Sequence, residues 1–566
     1  MPAVISLGLI VGGALFCLFL VRRVKGSRCL AVVVLGSYSL RVALAVGLYL
    51  VSAYELPIFR ALQLPEGFWR FTYDAPFYHE NAVRIAETLR AGRGLAPVLF
   101  GDQPFLVDSY EFFYFVGMVY WVFGPHPLWV PLLNAALWGV VAVLCYALAR
   151  GLGGERSGRI AATLVSFWPS ALLWSSQILK DTLMIFLLMV SFFLIGRVWQ
   201  ARSWGAFVAG ALLVPPVFLL ARIREYMVAL LIVAVVAALG LTVLFRVREL
   251  GWRGAARALA AIALLWMPFL VAGYLAPDWL SVLTRGSTDP FQIFDADAHG
   301  YLVAPTIGGP KRDARRASAE PSKSRYRRRS AGMDGWDARR ASAGPSKTGV
   351  AETSQESTGA PAEAPPADAR KRRPLPEQIV QLVARGSVDL AAKTYNLGNI
   401  DLRRGTFAKG GGQSTFQPIV GFRSFRDRVV FLPRGLAYAL YAPFPWHWFP
   451  ATGDTGRFKA FAGVETILMA GMTPFLLLGI LRAAASRRAD AWLLLFFGVI
   501  MFSMVALTVT NYGTLFRLRL QALVPLLVLV SVYGSPPPRV RALWERLRSR
   551  RSSAMSGPGA VPGPAG

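Results

Sequence analysis

Long blocks of apolar residues constrain this chain more than any other feature. Stretches of about 18 or more apolar residues recur along it, and each is long enough to cross a hydrocarbon core about 30 Å thick. Only 16% of the residues are charged, whereas a soluble domain is about a quarter charged because its surface must be solvated. The sequence therefore predicts an all-α polytopic membrane protein and argues against a soluble enzyme.

About eleven of these blocks are predicted to span the membrane. They cover residues 3–21, 30–54, 128–149, 160–179, 182–198, 206–221, 227–245, 259–276, 461–481, 492–510 and 520–533. The aromatic stretch 110–123 is too short to span, so it is predicted to be a helix lying in the membrane interface.

Short basic connectors join the predicted spans, for example residues 22–28 and 150–159. Positive charge kept on the cytoplasmic side sets the orientation of a membrane protein. The pattern predicts a multi-pass protein of the cell inner (plasma) membrane, with its N-terminus outside and its C-terminus in the cytoplasm. This topology signal explains the formal net charge of +29, so no nucleic-acid partner is expected. The abundance of Ala, Arg, Gly and Pro indicates a bacterium.

Four regions follow from this reading. Residues 1–276 form an N-terminal transmembrane region with an outer acidic loop, 55–109, and residues 277–455 form a long outer loop. Within that loop, residues 308–374 are predicted to be disordered, because a duplicated DARRASA segment and an Ala/Pro/Glu/Ser stretch bury too little apolar surface to fold. Residues 456–535 hold the C-terminal transmembrane helices. Residues 536–566 form a basic and then Gly/Pro-rich cytoplasmic tail.

The acidic loop carries the strongest local signal, FTYDAPFYHE over residues 71–80. Asp74 precedes an amphipathic helix, so it either caps that helix or presents a carboxylate that accepts a proton or helps to hold a divalent cation. Glu80 is a possible second catalytic carboxylate. Further cleft candidates, for which ordinary solvation or loop hydrogen bonding is the alternative, are His79, Asp108, Glu111 and His447.

Basic residues at predicted outer boundaries suggest an anionic partner. Lys180 and Asp181 form a pair at the end of one span, either as neutralised interfacial charge or with the lysine facing a lipid phosphate. Arginines on the outer side go against the orientation bias, and guanidinium groups suit phosphate. The arginines in question are Arg222, Arg224, Arg517 and Arg519. No HExxH, Walker, Rossmann or CxxC pattern is present, so no cofactor is predicted beyond a possible Mg²⁺ or Mn²⁺.

Besides the acidic loop, four stretches stand out in the sequence: residues 124–134 within the pattern FGPHPLWVPLLNA, residues 167–181, residues 434–446, and residues 511–519, which fit the pattern N-x-G-T-x-x-R-x-R. Together with the acidic loop, these stretches resemble the GT-C superfamily of membrane glycosyltransferases, and most closely its family 39 protein-mannosyltransferase and aminoarabinose-transferase branch. Members of the family often carry Asp-Glu in the acidic loop, whereas here Asp74 is followed by Ala75.

The resemblance implies a GT-C-like helical bundle with outer-face loops and interfacial helices. It also implies transfer of a sugar from a polyprenyl-phosphate donor to a glycan, lipid or protein acceptor on the outer face of the membrane. Asp74 would deprotonate the acceptor or help to hold an activating metal. The arginines and Lys180 would stabilise the departing lipid phosphate.

Three other classes stay open from the sequence. An envelope-polysaccharide polymerase or ligase would also hold lipid-pyrophosphate glycans with arginines, but it would depend less on Asp74. A transporter of lipid-linked glycans would have ionisable residues inside spans, broken helices and repeated halves. Arg41 and the pair Pro215 and Pro216 are the mid-span features of that kind identified in the sequence, and no repeated halves are evident. A membrane scaffold leaves the outer arginines unexplained.

Overall fold

The computed structural model describes residues 2–72, 74–92, 112–200, 204–224, 226–242, 245, 404, 422, 425–448 and 454–534. All of these belong to one compact unit, formed by residues 1–304 and 379–566. The described residues form helices, turns and irregular connections, no β-strand is assigned among them, and Gln63 and Trp69 form an isolated bridge. The predicted span 259–276, the predicted disordered segment 308–374 and the tail 536–566 lie outside the described residues.

Nine helices are described in the first half of the unit. In chain order they are α1 (Pro2–Arg23), α2 (Arg28–Ala53), α3 (Asp74–Arg90), α4 (Phe112–Phe123), α5 (Trp129–Ser166), α6 (Pro169–Ser175), α7 (Asp181–Gln200), α8 (Trp204–Ile223) and α9 (Tyr226–Thr242). Three 3₁₀ turns join α2 to α3, at Arg60–Leu62, Pro65–Gly67 and Arg70–Thr72.

The C-terminal part contains four described helices. They are α10 (Phe425–Tyr441), α11 (Asp454–Ala485), α12 (Ala489–Thr508) and α13 (Tyr512–Tyr533), with a 3₁₀ turn at Pro445–His447 after α10. Helix α10 has a charged first turn, which includes Asp427, and an apolar second half.

Eight helices among the described residues are long and apolar enough to cross a membrane, namely α1, α2, α5, α7, α8, α11, α12 and α13. The chain is therefore an all-α membrane protein, and that part of the prediction is confirmed. Two shorter apolar helices, Phe112–Phe123 and Tyr226–Thr242, occupy the predicted interfacial segment and the predicted span 227–245. The count of about eleven spans stays a prediction.

The range of helix α5, Trp129–Ser166, includes a turn at Gly154. Gly154 has φ +84°, a conformation that glycine adopts without strain. Trp138 Nε1 donates to the Val165 carbonyl oxygen at 3.2 Å, although 27 residues of straight helix would hold them about 40 Å apart. The two arms of α5 therefore lie side by side, as the predicted basic connector at residues 150–159 requires.

The predicted continuous span 160–179 is wrong, because the helix is broken. Its first part ends at Ser166, and the short helix α6 begins at Pro169. A proline disfavours helical geometry in the residue before it, and Trp168 is accordingly extended, with φ −65° and ψ 125°. The break starts a second segment that leads to Lys180.

The predicted start of the last span at residue 520 is also wrong. Helix α13 begins at Tyr512, because the Asn511 side chain accepts a hydrogen bond from the Thr514 N–H at 2.8 Å and caps the helix. Arg517 and Arg519 thus lie inside α13 rather than ahead of it. Helix α13 packs against α5, α6, α7, α11 and α12, and 89% of its apolar window is buried.

Candidate functional site

Five charged side chains from distant parts of the sequence meet at one place, which we call the charged cluster. Asp74 is the first residue of α3, and Lys180 and Asp181 lie where the turn after α6 enters α7. Arg224 connects α8 to α9, and Arg517 lies in the second turn of α13. The sequence analysis identified all five residues as candidates, but it did not predict that they meet.

Arg517 joins the two carboxylates of the charged cluster. Its Nη1 donates to Asp74 Oδ2 at 2.6 Å, and its Nε donates to Asp181 Oδ2 at 2.9 Å. Asp181 is 2% exposed, whereas the Asp74 side chain is 44% exposed. One carboxylate is therefore a buried anchor for Arg517, and the other faces open space.

The second and third turns of α13 present polar side chains to the charged cluster. Gln521 follows Arg517 by one helical turn and so lies on the same face. Its Nε2 lies 3.3 Å from Asp181 Oδ1. The buried carboxylate thus receives a donor on each oxygen, which compensates for its removal from water.

The turn that carries Lys180 is fixed by buried hydrogen bonds. Asn134 Nδ2 of α5 donates to the Gln177 carbonyl oxygen at 2.9 Å, and Thr72 Oγ1 lies 3.4 Å from Gln177 Oε1. At the helix break, Arg41 of α2 donates to the Ser166 carbonyl oxygen at 2.8 Å. A cation is favourable there because the C-terminus of a helix carries partial negative charge. Arg41 is thus explained as a structural residue.

The charged cluster shifts the pKa values of its members. Burial alone would raise the pKa of Asp74, but the charge and hydrogen bond of Arg517, with Lys180 and Arg224, lower it below the ordinary value. Burial and the positive charge of Arg224 lower the pKa of Lys180 to about 7, against the opposite effect of Asp74. Asp74 is therefore ionised at neutral pH, and Lys180 titrates in the physiological range.

The sequence analysis did not identify two tyrosines that lie beside the charged cluster. Tyr78 follows Asp74 by one helical turn, and burial and the charge of Asp74 raise its pKa. The Tyr226 hydroxyl accepts from Arg224 Nη1 at 2.9 Å. The spacing from Asp74 to Tyr78 was a usable signal, because side chains four residues apart share one face of a helix.

Two buried polar atoms at the charged cluster lack a hydrogen-bond partner within the described part of the chain. They are Arg224 Nε and Gln521 Oε1. Buried polar atoms in native proteins are nearly always paired. A donor left over beside Lys180 and Arg517 suits the oxygen of an anionic ligand.

The remaining predicted residues lie elsewhere or outside the described part. Glu80 is exposed on α3, and Arg222 is half-buried in the last turn of α8. His79 Nδ1 lies 2.7 Å from the Tyr120 hydroxyl, and burial with the nearby His126 lowers the pKa of His79 to about 4. Asp108 and Glu111 lie outside the described residues, as does the side chain of His447.

Arg519 does not join the charged cluster. Two residues along a helix rotate the side chain by about 200°, so Arg519 points away from the face that carries Arg517. Its Nη2 donates to Glu465 Oε1 of α11, and both side chains are buried. Glu465 lies inside the predicted span 461–481, where a carboxylate is itself a functional signal that the sequence analysis missed.

The carboxylates of the charged cluster do not provide a metal site among the described residues. Asp74 and Asp181 both bind Arg517, which occupies the place that a cation between them would take. No group of three metal-ligating side chains is found in the part of the chain that the structure describes. We therefore derive no step through a divalent cation.

The chain matches no protein-family model, no curated protein and no solved structure.

Proposed function

We propose that the chain is a membrane glycosyltransferase that moves a sugar from a polyprenyl-phosphate donor to an acceptor hydroxyl at the outer face of a bacterial plasma membrane. The observation that carries the proposal is the charged cluster. It combines one accessible carboxylate with three cations, Lys180, Arg224 and Arg517, at the ends of apolar helices. A lipid-linked anion has an apolar chain and an anionic end, and the apolar helices and the cations of the charged cluster complement these two parts.

The cations of the charged cluster suit the leaving group. When the bond between sugar C1 and the phosphate oxygen breaks, its electron pair stays on that oxygen, and the phosphate gains one negative charge. Lys180, Arg224 and Arg517 outnumber the carboxylates Asp74 and Asp181 by one. Groups already aimed at developing charge stabilise a transition state most, and Arg224 Nε is a buried donor still to be used.

Asp74 is the base of the proposed reaction. Arg517 takes its Oδ2, which leaves Oδ1 to receive the proton of the acceptor hydroxyl as that oxygen bonds to C1. Glycosyl transfer passes through an oxocarbenium-like transition state. The hydroxyl becomes acidic only as the new bond forms, so a carboxylate with a lowered pKa is sufficient.

The charge balance favours a monophosphate donor over the diphosphate of an envelope-polysaccharide polymerase or ligase. One excess positive charge in the charged cluster matches a donor phosphodiester, which carries one negative charge. A diphosphate leaving group would bring more negative charge than these described cations neutralise. We therefore rank the polymerase or ligase second.

The broken helix between α5 and α6 favours a transporter of lipid-linked glycans as another candidate. Broken helices are typical of transporters, whose binding sites lie near the breaks. The break here leads to Lys180 within five residues of the end of α6. A transporter would bind the lipid phosphate without cleaving the donor, so turnover separates the two functions.

The test is donor turnover by isolated membranes that contain the protein, because these membranes also supply the acceptor hydroxyl. Release of radiolabelled sugar from polyprenyl-phosphate sugars is measured for the wild type, Asp74→Asn and Glu80→Gln. Glu87→Gln is the matched control, because Glu87 is an exposed carboxylate on the same helix.

We expect turnover by the wild type and by Glu87→Gln, and a loss of about 100-fold or more in Asp74→Asn, as for removal of a general base. Full activity of Asp74→Asn would favour the polymerase or ligase. Binding without turnover by any variant would favour the transporter.

A further inference from the structure

The pair formed by Glu465 and Arg519 is buried next to the charged cluster. Arg519 is 0% exposed and Glu465 is 2% exposed. Arg519 lies two residues after Arg517 and on the opposite face of α13. One face of α13 is therefore fixed by Asp74 and Asp181, and the other by Glu465.

Glu465 also binds the segment that leads to Lys180. Its Oε2 accepts the Ser170 backbone N–H at 2.7 Å. Ser170 lies in the first turn of α6, where backbone N–H groups lack partners within the helix and a negative charge is favourable. Helix α6 spans only seven residues, so a shift at Ser170 is carried along a rigid arm of about 10 Å.

The pair reaches a third element through the end of α10. Arg519 Nη1 lies 3.4 Å from the Ala442 carbonyl oxygen, just after the last residue of α10. Helices α11 and α13, the start of α6 and the end of α10 thus meet at two side chains.

Stability alone does not explain this arrangement. Removing two charges from water is so unfavourable that a buried ion pair stabilises a protein no more than two well-packed apolar residues would. Arg519 Nε is moreover buried without a partner in the described part of the chain. What an ion pair provides, and apolar packing does not, is a fixed direction and distance.

We propose that Glu465 and Arg519 are positioning residues that set the spacing between Arg517 on α13 and Lys180 with Asp181 after α6. This inference depends on the proposed function, because the spacing matters for holding a phosphate between these cations. Without the pair, Asp181 still joins α13 to the turn after α6, but the start of α6 at Ser170 is no longer held and can shift relative to α13. A misplacement of about 1 Å can lower a catalysed rate by about 100-fold.

The decisive variant is the double substitution Glu465→Leu with Arg519→Met, which replaces the pair by apolar side chains of similar volume. Such replacements are often neutral for stability, so the variant is expected to fold. We expect its kcat to fall by about 10-fold to 100-fold with a donor KM within about threefold of the wild type. The matched control is Asp490→Asn, which removes the salt bridge between the first turn of α12 and Arg488 just before that helix.

A second readout needs no enzymatic activity. In a Cys29→Ser background, Lys180→Cys places a thiol at the end of the turn, where the native side chain is 6% exposed. Its rate of reaction with a sulfonated methanethiosulfonate should rise about tenfold when the pair is replaced, because local opening exposes the thiol.

The two readouts separate the two hypotheses. A wild type that turns over no donor refutes the proposed function, and the thiol rates still decide whether the pair positions the turn. Unchanged thiol rates in a folded double variant, or an unchanged kcat in an active one, would overturn the positioning role.

Discussion

Replacing Arg517 by Gln would leave two carboxylates without the cation that joins them. Asp181 dominates the expected loss of stability, because it is 2% exposed while Asp74 is 44% exposed. Removing one partner of a buried pair costs about 3–5 kcal/mol. The exposed pair with Asp74 contributes about 1 kcal/mol or less.

The two contributions together predict that the free energy of unfolding of Arg517→Gln falls by about 4 kcal/mol at pH 7.

The measurement is an SDS unfolding titration of the purified protein in bicelles at pH 7. Arg22→Gln is the control, because it removes an exposed arginine from the last turn of α1. A loss below about 1 kcal/mol in Arg517→Gln would refute the reasoning that Arg517 neutralises a buried carboxylate.

Three further predictions concern single groups. Donor affinity should fall as the pH rises through about 7, because Lys180 has a pKa of about 7 and attracts a phosphodiester only when protonated; Lys180→Arg should remove this pH dependence of the Kd in calorimetric titrations. His79→Gln should leave the pH profile of turnover unchanged above about pH 5 while costing about 1 kcal/mol of stability in the same SDS titration, because the pKa of His79 is about 4 and its contact with Tyr120 is lost; a shifted profile would place His79 in the chemistry. Cys29 is exposed beside the predicted cytoplasmic connector, so an impermeant maleimide should label it only in permeabilised cells, and labelling of intact cells would reverse the proposed orientation.

The helices and the chemical types of the site could be predicted from the sequence. Long apolar blocks require spanning helices, and arginines against the orientation bias marked Arg224 and Arg517 as functional candidates. Asp74 was identified from its place at the start of an amphipathic helix. These signals are local, and each depends on residues within a turn or two of the position.

The pairing of the charged side chains at the site could not be predicted from the sequence. Arg517 binds Asp74 and Asp181 across 443 and 336 residues, and such contacts depend on how the helices pack. The sequence gives Arg517 and Arg519 similar surroundings, yet opposite faces of α13 assign one to the charged cluster and the other to Glu465. Only the rotation of the helix decides between them, and no pattern of neighbouring residues fixes it.

The late position of α13 in the chain has a consequence for biosynthesis. An arginine at the centre of a membrane helix costs about 2.5–3.5 kcal/mol on insertion, and α13 carries two within its first eight residues. Carboxylates made earlier, on α7 and α11, offset that cost when α13 joins the helices that precede it. We expect a chain that stops before Tyr512 to retain unneutralised buried carboxylates and to be degraded faster than the full chain in a pulse-chase experiment. A half-life equal to that of the full chain would show that the other helices fold stably without α13.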